Sequence, residues 1–237
     1  MIGIIIELII SWLLLWFIDK KHLSVLGFRP TKSRILNFVV GLLLAALCCT
    51  IYHIISVAFT NNNWTLNNQL TVQAILLSSW WTLKSVLFEE LIFRGALLYI
   101  AIEKIGIIRA CILSAICFGI YHWFSYNAFS NPVQMIFIFF ITAIAGFMFA
   151  FAFAKTKSLY LPIGLHFGWN LFNIVVFSNG PLGQQIFIKT NEDELQGILS
   201  LLIFLFQVFS LPLLTFLYLR RFSKKQNLVN NEQQPLT

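Results

Sequence analysis

Charge is scarce in this sequence. Only 11% of its 237 residues are Asp, Glu, Lys or Arg, against 59% in the apolar set, and the mean hydropathy is +0.82. Soluble domains carry about 25% charged and roughly 45–50% apolar residues. With 25 Phe and 7 Trp besides, so few charges cannot cover a water-soluble globule of this size. That excludes a soluble enzyme and a disordered chain. Cysteine is also thin. Cys48, Cys49, Cys111 and Cys117 lie in apolar runs with no CxxC pair, which excludes a disulfide scaffold and leaves them as small buried apolar residues. No soluble domain, internal repeat or low-complexity linker breaks the apolar stretches. The first of them lacks the basic lead of a cleavable signal. What these absences leave is an all-α fold, a polytopic transmembrane helical bundle.

About 20 apolar residues cross the hydrocarbon core of a bilayer. On that measure the sequence predicts seven spans, at residues 2–18, 35–59, 80–102, 108–124, 133–154, 159–177 and 197–219. The formal charge of +7 has a placement that fits them: 13 of the 16 basic residues fall in four clusters. These are Lys20, Lys21, Arg29, Lys32 and Arg34; Lys104 and Arg109; Lys155 and Lys157; and Arg220, Arg221, Lys224 and Lys225. Each lies between spans or after the last. Residues 60–79 and 125–132 carry no charge, and 178–196 carry Lys189 against Glu192, Asp193 and Glu194. Basic loops mark the cytoplasmic side, so the charge reports topology and contact with membrane lipid, with no nucleic acid partner. The expectation is a multi-pass protein of the cell membrane with its N-terminus outside and its C-terminus cytoplasmic. Its organisation reads as a two-span segment over 1–70, a core over 71–222 and a polar, disordered tail over 223–237.

Ionisable groups inside spans are costly and face a protein interior or a watery cavity. Lys84, one turn after Trp80 and Trp81, reads as snorkelling to the outer interface. Glu7 lies near the outer end of its span, and His53 reads as a satisfied interior histidine. The others form a pattern. FEELIFRG places Glu90 and Arg94 four apart on one helix face, where they can pair, while Glu89 is turned away by roughly 100°. FGIYHW sets His122 four residues after Phe118, and HFGWN sets His166 and Asn170 four apart. Counted inward from the cytoplasmic span ends, His166 lies roughly 11 Å deep, Glu89 roughly 20 Å and His122 roughly 21 Å. Three helices can therefore bring them to one cavity.

EELIFRG, FGIYH and HFGWN resemble the three motifs, EExxxR, FxxxH and HxxxN, of the CPBP intramembrane proteases. That family groups type II CAAX prenyl endopeptidases with bacterial proteins of bacteriocin processing and self-immunity. The resemblance covers roughly residues 83–172, with every motif position filled. It implies an all-helical membrane core that cleaves a membrane-associated peptide or membrane-anchored protein, whether CAAX-type, bacteriocin or signalling-peptide precursor. It also implies that Glu89 and His122 act on the water, that His166 and Asn170 stabilise the intermediate, and that Glu90 and Arg94 shape the site.

The chemistry leads the same way. Peptide hydrolysis needs an activated water and donors for the oxyanion. A carboxylate withdrawn from water is a competent base at neutral pH. Glu89, free of the Glu90–Arg94 pair, is the candidate, with His122 holding the water and with His166 and Asn170 suited to the oxyanion. This scheme needs no cofactor. The same Glu89, His122 and His166 could instead ligate zinc and make the protein a metalloprotease, although no HExxH is present. A protein that keeps the fold and only binds, as in self-immunity, is the non-catalytic alternative.

Overall fold

A computed structural model describes residues 2–177, 185–191 and 193–232. Side-chain caps set the starts of three long helices. Thr31 Oγ1 accepts from the Arg34 amide and opens α2 (Lys32–Ala58), and Thr71 Oγ1 accepts from the Ala74 amide and opens α3 (Val72–Arg94). Asn131 Oδ1 accepts from the Val133 and Gln134 amides, with Pro132 in the first turn, and opens α6 (Pro132–Thr156). Such caps satisfy amides that have no partner within the helix. The remaining helices are α1 (Ile2–Asp19), α4 (Ala96–Ile105), α5 (Ile107–Ser125), α7 (Tyr160–Asn170) and α8 (Gly197–Glu232). After Asn170 the chain widens into a π-helical segment, Leu171–Phe177. Two short strands, β1 (Trp64–Leu66) and β2 (Phe187–Lys189), pair antiparallel.

The helical bundle matches the expected fold, and among the described residues six helical stretches are long and apolar enough to cross a membrane. They are Ile2–Asp19, Lys32–Ala58, Ile107–Ser125, Pro132–Thr156, Tyr160–Phe177 and Gly197–Phe222. The third expected span, 80–102, needs correction. It is not one helix: α3 begins at Val72, ends at Arg94, and gives way to α4 at Gly95. A Cβ at Gly95 would press into the Leu91 carbonyl oxygen, so the break requires glycine. α3 falls outside the apolar six because it carries Lys84, Glu89, Glu90 and Arg94. The polar residues of interest are what lower its hydropathy. At the other end, backbone helix continues to Glu232, into the stretch expected to be a tail, while residues 233–237 and Glu192 lie outside the described residues.

Contacts between loops sort the two ends of the bundle. Lys104 Nζ lies 3.5 Å from Asp19 Oδ1, and Ser158 Oγ donates to the Gly27 carbonyl at 3.4 Å. These join three of the basic segments. At the opposite end Asn62 Nδ2 donates to the Asn191 carbonyl at 2.8 Å, next to the β1–β2 pair. Between the ends, α7 packs directly on α2 through glycine. A Cβ at Gly164 would meet the Phe38 carbonyl and one at Gly168 the Leu42 carbonyl, while Gly41 of α2 faces Leu161 and Leu165. Small residues four apart let membrane helices approach backbone to backbone. Around this seam Ala45, Cys48, Phe118, Phe149, Leu161, Leu165 and Leu211 form one buried cluster. A second, including Leu15, Leu26, Leu91, Leu98 and Phe153, ties α1 and α4 to α5 and α6.

Candidate active site

α3, α5 and α7 meet along one wall of a cavity of about 810 Å³, whose lining includes Glu89, His122, His166 and Asn170. α6 and α8 complete the lining with largely apolar side chains, among them Ile141, Met148, Val208 and Leu211. The one-residue step from Glu89 to Glu90 on α3 separates two environments, as a rotation of roughly 100° dictates. The Glu89 side chain is 12% exposed, and its Oε2 lies 4.0 Å from His122 Nε2 and 3.7 Å from His166 Nε2. These separations exceed hydrogen-bond length, yet all three heads converge on one region of the cavity. Ser85, one turn before Glu89, reaches its Oε1 at 3.4 Å.

Glu90 and Arg94 are fully buried. Arg94 Nη1 lies 3.3 Å from Glu90 Oε1, and the same oxygen lies 2.8 Å from His166 Nδ1. The expected Glu90–Arg94 pair is therefore present, and His166 joins it. The Arg94 guanidinium sits 4.1 Å from the Phe118 ring centroid, 5.0 Å from that of Phe149 and 5.7 Å from that of Phe93. Aromatic faces stabilise a desolvated cation by about 2 kcal/mol or more. Phe149 also stacks on the His166 ring at 4.8 Å, and the His122 Nδ1–H donates to the Phe118 carbonyl at 2.8 Å. Each imidazole thus has Nδ1 engaged and Nε2 directed to the Glu89 side.

The structure brings together all seven residues of the three motifs and leaves Lys84, Glu7 and His53 outside the cavity lining. Lys84 lies 6.0 Å from the Trp80 ring and, like Glu7, does not line the cavity. His53 Nε2 donates to Asn173 Oδ1 at 3.0 Å, as a satisfied interior histidine should. The depth count set His166 about 10 Å shallower than Glu89 because it began at residue 159. Ser158 and Leu159 are themselves buried, and the Leu159 amide donates to the Leu26 carbonyl at 3.3 Å. The turn around Leu26 covers the start of that span. Ser85 was legible from its spacing of four to Glu89. The rings of Phe93 and Phe149 and the amide of Asn173 carried no local signal.

The zinc alternative has donors of a suitable type in Glu89, His122 and His166. Among the described residues, however, no group of three or more His, Cys, Asp or Glu side chains is arranged to hold a metal ion.

Residues 71–172 match the family model described as Type II CAAX prenyl endopeptidase Rce1-like. Neither a curated protein nor a solved structure matches the chain. The matched stretch opens one residue before α3 and closes two residues after Asn170, so it contains every motif residue of the cavity wall. Over that segment the chain is similar to the Rce1-like type II CAAX prenyl endopeptidase family, a family of proteases, in keeping with a CPBP intramembrane protease in a multi-pass membrane protein.

Proposed function

We propose that this chain is an intramembrane endopeptidase that hydrolyses a peptide bond of a membrane-associated or lipid-embedded peptide by glutamate-activated water. The observation that carries the reading is the convergence of Glu89 Oε2 with the Nε2 atoms of His122 and His166 on a cavity wall, while Glu90 is drawn away by Arg94. A water between Glu89 and His122 attacks the scissile carbonyl carbon as Glu89 takes its proton. The tetrahedral intermediate places its negative oxygen against Asn170 Nδ2 and His166 Nε2. His166 Nδ1 stays with Glu90 Oε1 while Nε2 faces the negative oxygen. When the intermediate collapses, the C–N bond breaks and Glu89 returns its proton to the leaving amine. Neither the base nor the oxyanion donors call for a metal.

The family description names a prenyl endopeptidase, so a peptide with a prenylated cysteine is the first substrate to try, beside the same peptide unmodified. The test uses the full chain in phosphatidylglycerol–phosphatidylcholine vesicles with both peptides internally quenched. Cleavage that survives a zinc chelator and disappears in Glu89→Gln is the expected result. Chelator-sensitive cleavage with stoichiometric zinc overturns the water mechanism, and no cleavage of either peptide favours a binding protein.

The same reading has the N-terminus outside and the C-terminus in the cytoplasm, supported by the joined basic segments, since basic loops favour the cytoplasmic face. Reporter fusions after Asn62 should read outside and fusions after Lys225 inside. An external signal from the Lys225 fusion reverses the orientation.

A further inference from the structure

His53 on α2 and Asn173 in the π-helical segment face each other beside the cavity, and the chemistry above uses neither. His53 is 6% exposed, and its ring is held from several sides. It stacks on Phe177 at 5.0 Å and 16°, and meets Trp64 and Tyr52 edge-on at 5.7 and 4.9 Å. The Trp64 indole N–H donates to the His53 carbonyl at 3.2 Å. This clamp aims the His53 Nε2–H at Asn173 Oδ1, 3.0 Å away. Gripping the amide by its oxygen fixes where its nitrogen points.

Asn173 lines the cavity, as does Asn170 one turn earlier. Among the described residues no acceptor engages the Asn173 amide nitrogen. Two hydroxyls of the same lining, Thr82 and Thr142, already donate to the Ser78 and Ile138 carbonyls of their own helices, at 2.8 and 2.7 Å. π-Helical turns disturb regular helix bonding and concentrate at functional sites. This one begins at the residue after Asn170. A peptide screened from water must have its carbonyls satisfied by protein donors. Neighbouring carbonyls along one edge of an extended chain are about 7 Å apart, and one helical turn rises about 5 Å. An oxyanion at Asn170 therefore leaves a flanking carbonyl within reach of Asn173.

We propose that Asn173, oriented by His53, donates its amide N–H to a backbone carbonyl of the bound peptide beside the scissile bond. Asn173 is then a substrate-binding residue and His53 a positioning residue. The proposal rests on the endopeptidase reading for its substrate. Its test also measures binding without cleavage, so that the two can fail separately.

The full chain in the same vesicles takes the prenylated quenched peptide as probe. Asn173→Ala should raise KM about five- to tenfold, as expected for one lost hydrogen bond, while kcat changes far less than in Asn170→Ala. The Kd of the peptide for Glu89→Gln should rise by the same factor when Asn173→Ala is added. His53→Leu should reproduce the KM rise, add nothing in the Asn173→Ala background, and be rescued by His53→Gln, which keeps an N–H donor. Should His53→Leu not fold, Asn173→Asp keeps an acceptor for His53 but presents no amide donor, and it must weaken binding at least as much as Asn173→Ala. Unchanged KM and Kd in Asn173→Ala, or a fall in kcat alone, overturns the subsite and leaves the protease reading intact. A wild type that does not cleave while Asn173→Ala still weakens binding overturns the protease reading and keeps the subsite.

Discussion

Glu89 and Glu90 are adjacent in sequence and opposite in circumstance. Glu90 has no exposed side-chain surface, shares one oxygen with Arg94 and His166, and lies behind the aromatic rings that enclose the guanidinium. Glu89 keeps 12% exposure and lines the cavity, with a serine hydroxyl as its nearest hydrogen-bond partner. One face of α3 is closed and charge-compensated, while the other is open and under-compensated. The lesson is that a buried carboxylate is available for chemistry only where it faces a cavity, and one helical step is enough to divide the two circumstances.

The division can be broken residue by residue. Glu89→Gln keeps shape and polarity on the open face, and peptide cleavage should fall by about 10²–10⁴, the usual contribution of a general base, with an unchanged melting temperature. On the closed face Arg94→Met and Glu90→Gln should act on folding. Stranding one member of a buried pair costs about 3–5 kcal/mol, read as lost yield or an earlier thermal transition in detergent. If all three variants unfold alike, the contrast between the faces is wrong. His166 borders both environments, which makes it the sharper probe. Asn170→Ala should lower kcat by about 10²–10³ without touching stability. His166→Ala should cost both activity and stability, and the double variant should lose less activity than the two losses multiplied. The smallest effect belongs to Ser85→Ala. Its 3.4 Å contact with Glu89 is long, so a change of less than about tenfold in kcat, without change in melting temperature, is expected.

Much of this arrangement was legible in the sequence, for physical reasons. Spacings of three and four map directly onto helix faces, so the Glu90–Arg94 pair and the separate direction of Glu89 followed from residue numbers. Hydrophobic runs located the spans because lipid demands about 20 apolar residues. That logic fails where a span carries function: in α3 the charged residues eroded the hydropathy signal, and the apolar run continued past Gly95 as though the helix did not break. The bond between His166 and Glu90 joins residues 76 apart, and the ring of Phe149 beneath His166 arrives from α6. Such contacts depend on how helices pack in three dimensions, and no spacing rule within one helix encodes them.

The glycine seam between α2 and α7 has a mechanical consequence. At most helix contacts, side chains act as springs that change rotamer to absorb a displacement. Gly164 and Gly168 leave no such springs, and backbone bears on backbone at Phe38 and Leu42. His166 lies between those two glycines and Asn170 directly beyond them, so both are registered against α2 with little compliance. On the α6 and α8 side the cavity is lined instead by side chains such as Met148 and Leu211, which have rotamers with which to adjust. A displacement is then absorbed more readily by those side chains than at the glycine seam.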